Sequence, residues 1–291
     1  MNSTATRYCN IVEELKIAQE IGFEGVEINY EKLFRFLDAG YHVQDILSLL
    51  NGMEVVGIGA VQNIEGDGKD RTAFLNELRR VCELGEKLGT TRVQICTGPS
   101  DVEVVQAFYH GKLAPNDPRY RGLLGVPEEE LLDKTAENVA LAADIAAEHG
   151  INLYMEPLAW VPLGKIAQAE RVIARAGRKN VGVAIDFWHM WTTQETPEYV
   201  ASLDKDLIQI VHICDGIEFD GEGVPNQDIL RNVWTGEGDI PLKRWIDAVK
   251  ATGYDGWYST EIFSTKIYER DPRQTARLLK ENFEYMLGMS L

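Results

Sequence analysis

The sequence predicts an α/β fold, a single (β/α)8 TIM barrel that spans residues 1–291. Short apolar, β-branched runs alternate with amphipathic helical segments along the whole chain, and this alternation is typical of a parallel sheet. The chain has 291 residues, and a (β/α)8 barrel needs roughly 250. None of the strand-to-helix junctions carries the G-x-G-x-x-G sequence that an open dinucleotide-binding sheet would require.

Eight strands are expected, which is the number that closes such a barrel. A short first strand is predicted at residues 2–6, and two runs with strand composition lie at 53–61 and 207–213. Five more runs begin at or near a Gly or Asn that fits the C-terminal cap of the preceding helix. These five lie at residues 22–29, 89–96, 150–156, 180–186 and 253–263.

Two long insertions follow the fourth and seventh predicted strands, at residues 97–126 and 214–239. Both leave the carboxyl ends of strands, which is the face where barrel enzymes build their active sites. Loops of this length are usually functional or disordered, and the aromatic residues here favour a folded cover over a site.

The composition indicates which partners to expect. The chain has 46 acidic and 29 basic residues and a formal net charge of −17, which disfavours nucleic acid and anionic lipid as partners. Its four cysteines are far apart in sequence and suggest thiols in a reducing compartment. With no apolar run of membrane-span length and no signal sequence, we expect a cytoplasmic enzyme with a small-molecule substrate. The oligomeric state stays open, and the C-terminal segment 282–291 is compatible with a homo-oligomer.

Ionisable side chains end four consecutive predicted strands: Glu156, Asp186, His212 and Glu261. A charged side chain at the end of an apolar strand is costly to bury unless it is paired or binds a cation. The carboxyl ends of the strands converge in a barrel, so three carboxylates and an imidazole would meet there. This donor set predicts one divalent metal ion, Mn²⁺ first, with Co²⁺, Mg²⁺, Zn²⁺ or Fe²⁺ compatible. Ordinary salt bridges at the barrel rim are the alternative.

The chain resembles the xylose isomerase-like TIM barrels, which include sugar phosphate isomerases and epimerases. The resemblance extends over essentially the whole chain and is carried by five segments: GFEGVEI, MEPL at 155–158, AIDFWHMW at 184–191, VHICDG at 211–216 and the run 236–263. It implies that the four strand-end residues bind one catalytic metal. The spacing Asp186-x-x-His189 likewise implies that His189 binds the substrate.

The resemblance also implies a reaction. Glu156 and Glu261 would move a proton through a metal-stabilised enediolate, while Asp186 and His212 mainly hold the ion. The substrate would be a sugar, a cyclitol or a keto-sugar, and the protein would be an isomerase or epimerase. A lyase or dehydratase acting on a keto-sugar, inosose or 3-keto-glycoside is the alternative, because the same enolate can expel a leaving group.

Two departures from the epimerases make ketohexose 3-epimerisation a weaker hypothesis. The arginine expected shortly after His212 is missing, and no second glutamate follows Glu156 closely. Glu27 is expected to pair with a neighbouring residue at the rim. The remaining candidates for substrate contact are aromatic or polar residues near the predicted site: Trp160, Trp188, Asp215 and His110.

The sequence disfavours two other functional classes. A barrel endonuclease needs three metals and additional histidines, but the chain has five histidines in all and its fourth strand ends without one. A barrel that has lost catalysis and serves for binding or assembly is disfavoured by the intact ligand set.

Overall fold

Seven parallel strands form a nearly closed barrel in the computed structural model, which describes residues 1–114 and 116–288. Each strand pairs with the next in chain order, and every pairing is parallel. The architecture confirms the predicted barrel class. The strands are β1 (Gly25–Asn29), β2 (Glu54–Val61), β3 (Arg92–Cys96), β4 (Asn152–Glu156), β5 (Val181–Asp186), β6 (Ile208–Ile213) and β7 (Tyr258–Thr260).

Helices flank the strands and connect them. Several end at a glycine with positive φ, as the sequence predicts, including Gly22 and Gly89. The helices are α1 (Ile11–Ile21), α2 (Tyr30–Asp38), α3 (Val43–Leu50), α4 (Gly68–Leu88), α5 (Val102–Tyr109), α6 (Glu128–Glu148), α7 (Ile166–Ala176), α8 (Phe187–Thr192), α9 (Pro197–Ala201), α10 (Gln227–Leu230), α11 (Leu242–Ala251), α12 (Thr265–Tyr268) and α13 (Pro272–Leu287).

The prediction of a first strand at residues 2–6 is wrong. Ser3–Thr6 form a short 3-10 helix, which the Asn2 side chain begins by accepting a hydrogen bond from the Thr4 amide at 2.9 Å. Short polar side chains of this kind satisfy nearby backbone groups and so compete with strand pairing. Asn2 retains an isolated parallel bridge to Glu27 of β1.

The N-terminal segment lies where an eighth strand would close the barrel. The Met1 carbonyl accepts a hydrogen bond from the Glu27 amide at 2.9 Å, and Thr4 Oγ1 accepts one from the Ile262 amide, just after β7, at 3.2 Å. Within the described residues β1 and β7 are not paired with each other. The segment therefore bridges the two edges of the sheet through irregular contacts.

Two glycines of β2 make room for large side chains inside the barrel. A Cβ atom on Gly57 would lie 2.5 Å from the Tyr154 hydroxyl, and one on Gly59 would lie 2.1 Å from Gln94 Oε1. Both neighbours hold acidic residues of the barrel, because Tyr154 bonds to Glu27 and Gln94 bonds to Glu156. Glycine is thus required here by close approach.

The two long insertions contain helical segments. Helix α5 lies within residues 97–126, of which residue 115 is outside the described part, and α10 lies within 214–239. Residues 289–291, part of the segment considered for oligomerisation, also lie outside it. Among the described helices, none is long and apolar enough to cross a membrane.

Candidate active site

Four ionisable side chains converge at the carboxyl ends of β4 to β7. Glu156 and Asp186 are the last residues of β4 and β5, His212 lies one residue before the end of β6, and Glu261 directly follows β7. One donor atom from each of the four lies within 4.8 Å of the others, and all four side chains are buried. The structure therefore brings the predicted ligand set together.

The His212 ring points one nitrogen into this cluster. Its Nδ1 lies 2.8 Å from Glu156 Oε1, 3.9 Å from Asp186 Oδ2 and 3.8 Å from Glu261 Oε1. Burial lowers the pKa of His212, but the carboxylates of Glu27, Glu261 and Glu156 outweigh it and raise the pKa well above the usual value. Three carboxylates thus compete for one imidazole nitrogen.

Glu27 fixes the other side of the same ring. His212 Nε2 lies 3.0 Å from Glu27 Oε1, so the expected pairing of Glu27 with a rim residue is observed. The Glu27 carboxylate also accepts hydrogen bonds from Tyr154, Ser259 and Asn2 at 2.7, 2.6 and 2.8 Å. Burial opposes ionisation of Glu27. The charge of His212 and the hydrogen bonds from His212, Ser259 and Tyr154 outweigh it and lower the pKa of Glu27 to about 2. A carboxylate that orients an imidazole from behind is a common support of metal-binding histidines.

The two glutamates of the cluster have unlike neighbours. Glu156 Oε2 accepts a hydrogen bond from Gln94 Nε2 at 2.9 Å and one from the Cys96 thiol at 3.5 Å. Glu261 Oε2 instead contacts Arg231 Nη2 at 2.5 Å. Burial raises the pKa of Glu261 to about 7 against the opposing charges of Arg231 and His212.

The donor set fits a divalent cation. Three carboxylates and one imidazole offer mostly oxygen donors with one nitrogen, which suits Mn²⁺, Co²⁺ or Zn²⁺. Among the described residues, the basic groups in contact with these carboxylates are the His212 imidazole and the Arg231 guanidinium. A divalent ion would relieve the remaining repulsion among carboxylates held this close.

A cavity of about 280 Å³ opens onto Glu156 and Glu261. Of the predicted substrate-binding residues, His189 and Trp160 line it. His189 is buried, its Nδ1 accepts a hydrogen bond from the Ala159 amide at 3.0 Å, and burial lowers its pKa to about 3. His189 is therefore neutral with its proton on Nε2. The Trp160 indole is fixed through a hydrogen bond from Nε1 to the Pro99 carbonyl at 3.2 Å.

Three other predicted contact residues lie outside the lining of this cavity. Trp188 is fully buried, and the guanidinium carbon of Arg231 lies over it, 5.0 Å from the centre of the indole ring. The Asp215 carboxylate accepts hydrogen bonds from the amides of four residues, namely Gly216, Gly236, Gly238 and Ile240, and so shapes the loop after β6. His110 is exposed at the end of α5.

Arg231 is a site residue that the sequence reasoning missed. It follows α10 in the loop after β6, is 1% exposed, and lies 3.6 Å from Asp186 Oδ2 in addition to its contact with Glu261. The family resemblance predicts an arginine only a few residues after His212, whereas Arg231 lies 19 residues after it. No periodic or motif signal in the loop marks Arg231 as different from the exposed arginines.

Comparison with known proteins assigns the family. Residues 15–286 match the family model of the xylose isomerase-like TIM barrels. Because this match spans most of the sequence, the chain belongs to that family.

Two relatives are enzymes that act on small sugar-like molecules. An inosose isomerase of Bacillus velezensis is 28% identical over 163 residues, which make up 55% of this chain and 57% of that protein. A 3-dehydroshikimate dehydratase of Pseudomonas putida is 24% identical over 271 residues, 91% of this chain and 38% of that protein. The chain thus aligns with less than two thirds of the length of either relative.

A solved structure shows the same fold. The crystal structure of the IOLI protein with a binding zinc atom aligns with a TM-score of 0.84 at 19% identity, covering 99% of this chain and 97% of that one. At this level of identity the similarity establishes the fold alone.

Proposed function

We propose that this protein is a divalent-metal-dependent isomerase or epimerase of a sugar, cyclitol or keto-sugar. The observation that carries the proposal is the meeting of four donor atoms within 4.8 Å beside a cavity that the two glutamates line. The similarity to an inosose isomerase and the zinc atom of the structurally similar protein support it.

The four strand-end residues would hold one ion, with Mn²⁺ as our first choice. When bound, such an ion supplies Lewis-acid chemistry, because it polarises a substrate carbonyl and so acidifies the neighbouring C–H bond. Asp186 and His212 would serve mainly as ligands. His212 is held for this role by Glu27, which accepts from Nε2 and leaves Nδ1 directed into the cluster.

The glutamates Glu156 and Glu261 would transfer the proton. Both line the cavity, so one carboxylate can take a proton from the carbon beside the carbonyl and the other can return one. Gln94 holds the Glu156 carboxylate, and Arg231 holds that of Glu261. The two carboxylates are thus held by different partners, a neutral amide and a guanidinium.

Two further residues would position the substrate. Since Nδ1 of His189 accepts a hydrogen bond from the Ala159 amide, the ring proton lies on Nε2 and can be donated to a substrate oxygen. Trp160 offers an aromatic surface to the cavity, which suits the C–H face of a sugar or cyclitol ring.

A lyase is the second candidate, favoured by the similarity to a 3-dehydroshikimate dehydratase over 91% of the chain. Both reactions begin by removing a proton next to a carbonyl. They differ in whether the carbanion is reprotonated or expels a group from the next carbon. The products therefore separate the two candidates.

The test is proton NMR of the Mn²⁺-loaded protein in D₂O with ketoses, inososes, keto-acids and 3-keto-glycosides. Deuterium at the carbon beside the carbonyl, in recovered substrate or its isomer, is the expected result. An unsaturated or shortened product would transfer the assignment to the lyase. Neither exchange nor product with any compound, in protein shown to contain metal, would overturn the proposed function.

Variants test the proposed roles of the two glutamates. We expect Glu156→Gln and Glu261→Gln to abolish the exchange, while Glu237→Gln on the exposed part of the loop retains it. Because both glutamates are also proposed ligands, the metal content of each variant is measured alongside. Lost exchange with metal retained supports proton transfer, and full exchange in either variant contradicts its role.

A further inference from the structure

Gln94 of β3 connects one of the proposed proton-transfer residues to the cavity. It is buried, it lines the cavity, and its Nε2 donates a hydrogen bond to Glu156 Oε2 at 2.9 Å. Because an ionised carboxylate only accepts hydrogen bonds, this contact fixes the amide with Nε2 towards Glu156 and Oε1 away from it. Among the described residues nothing donates to Oε1, and this atom is not closed off from solvent. Gln94 therefore presents a free acceptor.

Asn29, the last residue of β1, is oriented by a similar constraint. Its Oδ1 accepts hydrogen bonds from the amides of Glu31 at 2.9 Å and Lys32 at 3.4 Å, and so caps α2. Nδ2 is the other end of the same amide, and within the described part of the chain it donates to no residue. Asn29 also lines the cavity. It therefore presents a free donor.

Gly59 of β2 lies between these two amides and lines the cavity as well. It pairs with Asn29 in the β1–β2 register, and a Cβ atom at Gly59 would lie 2.1 Å from Gln94 Oε1. The missing side chain thus lets the Gln94 amide lie over β2, on the side of Asn29. Neighbouring strands are about 4.8 Å apart, so one small group can reach both amides.

We propose that Gln94 and Asn29 determine substrate specificity by binding one hydroxyl group, which donates to Gln94 Oε1 and accepts from Asn29 Nδ2. This inference rests on the proposed function, because it assigns a recognition pair to the same cavity. A hydroxyl group is both donor and acceptor and so satisfies both amides at once. A substrate without this hydroxyl leaves them unpaired, which is how a polar site rejects an analogue. Gln94 holds Glu156 by its other end, so the recognised hydroxyl lies close to the proposed proton transfer.

The test measures binding and not turnover, so its failure is distinct from a failure of the proposed reaction. The Mn²⁺-loaded protein is titrated calorimetrically with myo-inositol, a neutral ring with a hydroxyl on every carbon, and with each of its monodeoxy derivatives. We expect one derivative to bind about tenfold more weakly than myo-inositol. The loss is limited to this size because water replaces the missing hydroxyl in an accessible cavity.

Two variants remove the contacts separately. Asn29→Asp keeps the oxygen that caps α2 and removes the free donor, while Gln94→Met keeps the length of the side chain and removes the free acceptor. We expect each variant to bind myo-inositol about tenfold more weakly, and to bind the discriminated derivative as the wild type does. Effects on a shared contact are not additive, whereas a purely structural change would weaken every compound alike.

The matched control is Asn10→Asp, the same substitution at the exposed cap of α1, which should bind all compounds as the wild type does. Circular dichroism and metal content verify that each variant is folded and loaded. Three results would overturn the inference. The first is no binding of myo-inositol by the loaded wild type up to its solubility. The second is equal binding of myo-inositol and all its monodeoxy derivatives. The third is a variant, at either amide, that binds myo-inositol unchanged or weakens every compound equally.

Discussion

Glu65, between β2 and α4, is a buried acid outside the proposed chemistry. It is 1% exposed, and neither carboxyl oxygen has a hydrogen-bond partner among the described residues. Burial raises its pKa to about 8, and the nearby amides of Glu65 and Gly98 offset only part of the effect. At neutral pH the folded protein therefore holds this side chain in its protonated form.

The consequence is a defined pH dependence of stability. Between the ordinary pKa of 4.5 and the folded value of about 8, the folded state keeps a proton that the unfolded chain releases. The free energy of unfolding therefore falls as pH rises through this window, by at most about 1.4 kcal/mol per pH unit. We expect Glu65→Gln to gain stability over the wild type progressively from pH 5 to pH 8.

Urea denaturation at several pH values measures this difference, with exposed Glu281→Gln as the matched control. Subtracting the wild-type curve removes the contribution of the other ionisable groups. A Glu65→Gln difference that stays constant across the window would mean that Glu65 is ionised in the folded protein.

Glu27 permits a prediction about the metal that does not depend on turnover. Replacing Glu27 by Gln keeps the shape of the side chain but removes the charge behind His212 Nε2. Loss of such support typically weakens metal binding about 10- to 100-fold. We expect this loss for Mn²⁺ and Zn²⁺ in Glu27→Gln and not in exposed Glu24→Gln, measured by competition with a metal indicator. Unchanged metal affinity in Glu27→Gln would mean that Glu27 does not support metal binding and contributes only to packing.

At the residue scale, the sequence identifies a site residue where a charged side chain interrupts a run of apolar residues. Glu156 and Asp186 stand out because each ends an apolar strand whose burial would otherwise exclude a charge. Arg231 has no such contrast, since its loop is polar and irregular. Asp215 was a candidate because it is polar and lies near the predicted site, yet its carboxylate accepts hydrogen bonds from four backbone amides, including that of the adjacent Gly216. Only the folded loop distinguishes these roles.

At the scale of elements, a buried ion pair joins α1, α2 and the N-terminal turn. Lys32 pairs with Glu14, and both are buried. The Lys32 ammonium also donates to the Thr6 carbonyl at 2.9 Å, while Thr6 Oγ1 donates to Glu14 at 3.0 Å. The network anchors the turn Ser3–Thr6 in place of a paired strand.

This network explains why residues 2–6 do not form the predicted first strand. Residues 2–6 have no apolar alternation, and their only role in the prediction was to complete a set of eight strands. The partners that fix the turn are distant in sequence, namely Glu14, Lys32 and Ile262. By contrast, β4 and β5 were predictable because their burial is uniform and therefore visible as continuous apolar runs.

Lys32→Met tests the network. It would leave the Glu14 carboxylate buried without its cation, which typically costs about 3–5 kcal/mol of folding free energy. The double variant Lys32→Met/Glu14→Leu removes both charges, and we expect it to recover part of the loss. Urea denaturation measures both, with exposed Lys16→Met as the control. Equal destabilisation of the single and double variants would show that side-chain packing, not charge, dominates.

At the scale of the whole molecule, the cluster of carboxylates at the barrel mouth disfavours folding, and a bound cation would reduce this cost. Three carboxylates are held around one imidazole in a protein of net charge −17. Packing and hydrogen bonding elsewhere must offset that repulsion. A ligand that binds only the folded state raises its stability by about 2.7 kcal/mol at a hundredfold excess over Kd.

The last prediction uses Asp186→Asn, which removes one of these charges while an amide oxygen can still cap the His189 amide. In EDTA we expect the variant to unfold at or above the wild-type temperature, because repulsion is reduced. In excess Mn²⁺ the order should reverse, because only the wild type gains several degrees from the complete ligand set. Calorimetric melting curves measure both conditions, with exposed Asp255→Asn following the wild type throughout. If Mn²⁺ raises the unfolding temperature of wild type and Asp186→Asn equally, the ion binds elsewhere, and the four strand ends lose their assignment as its site.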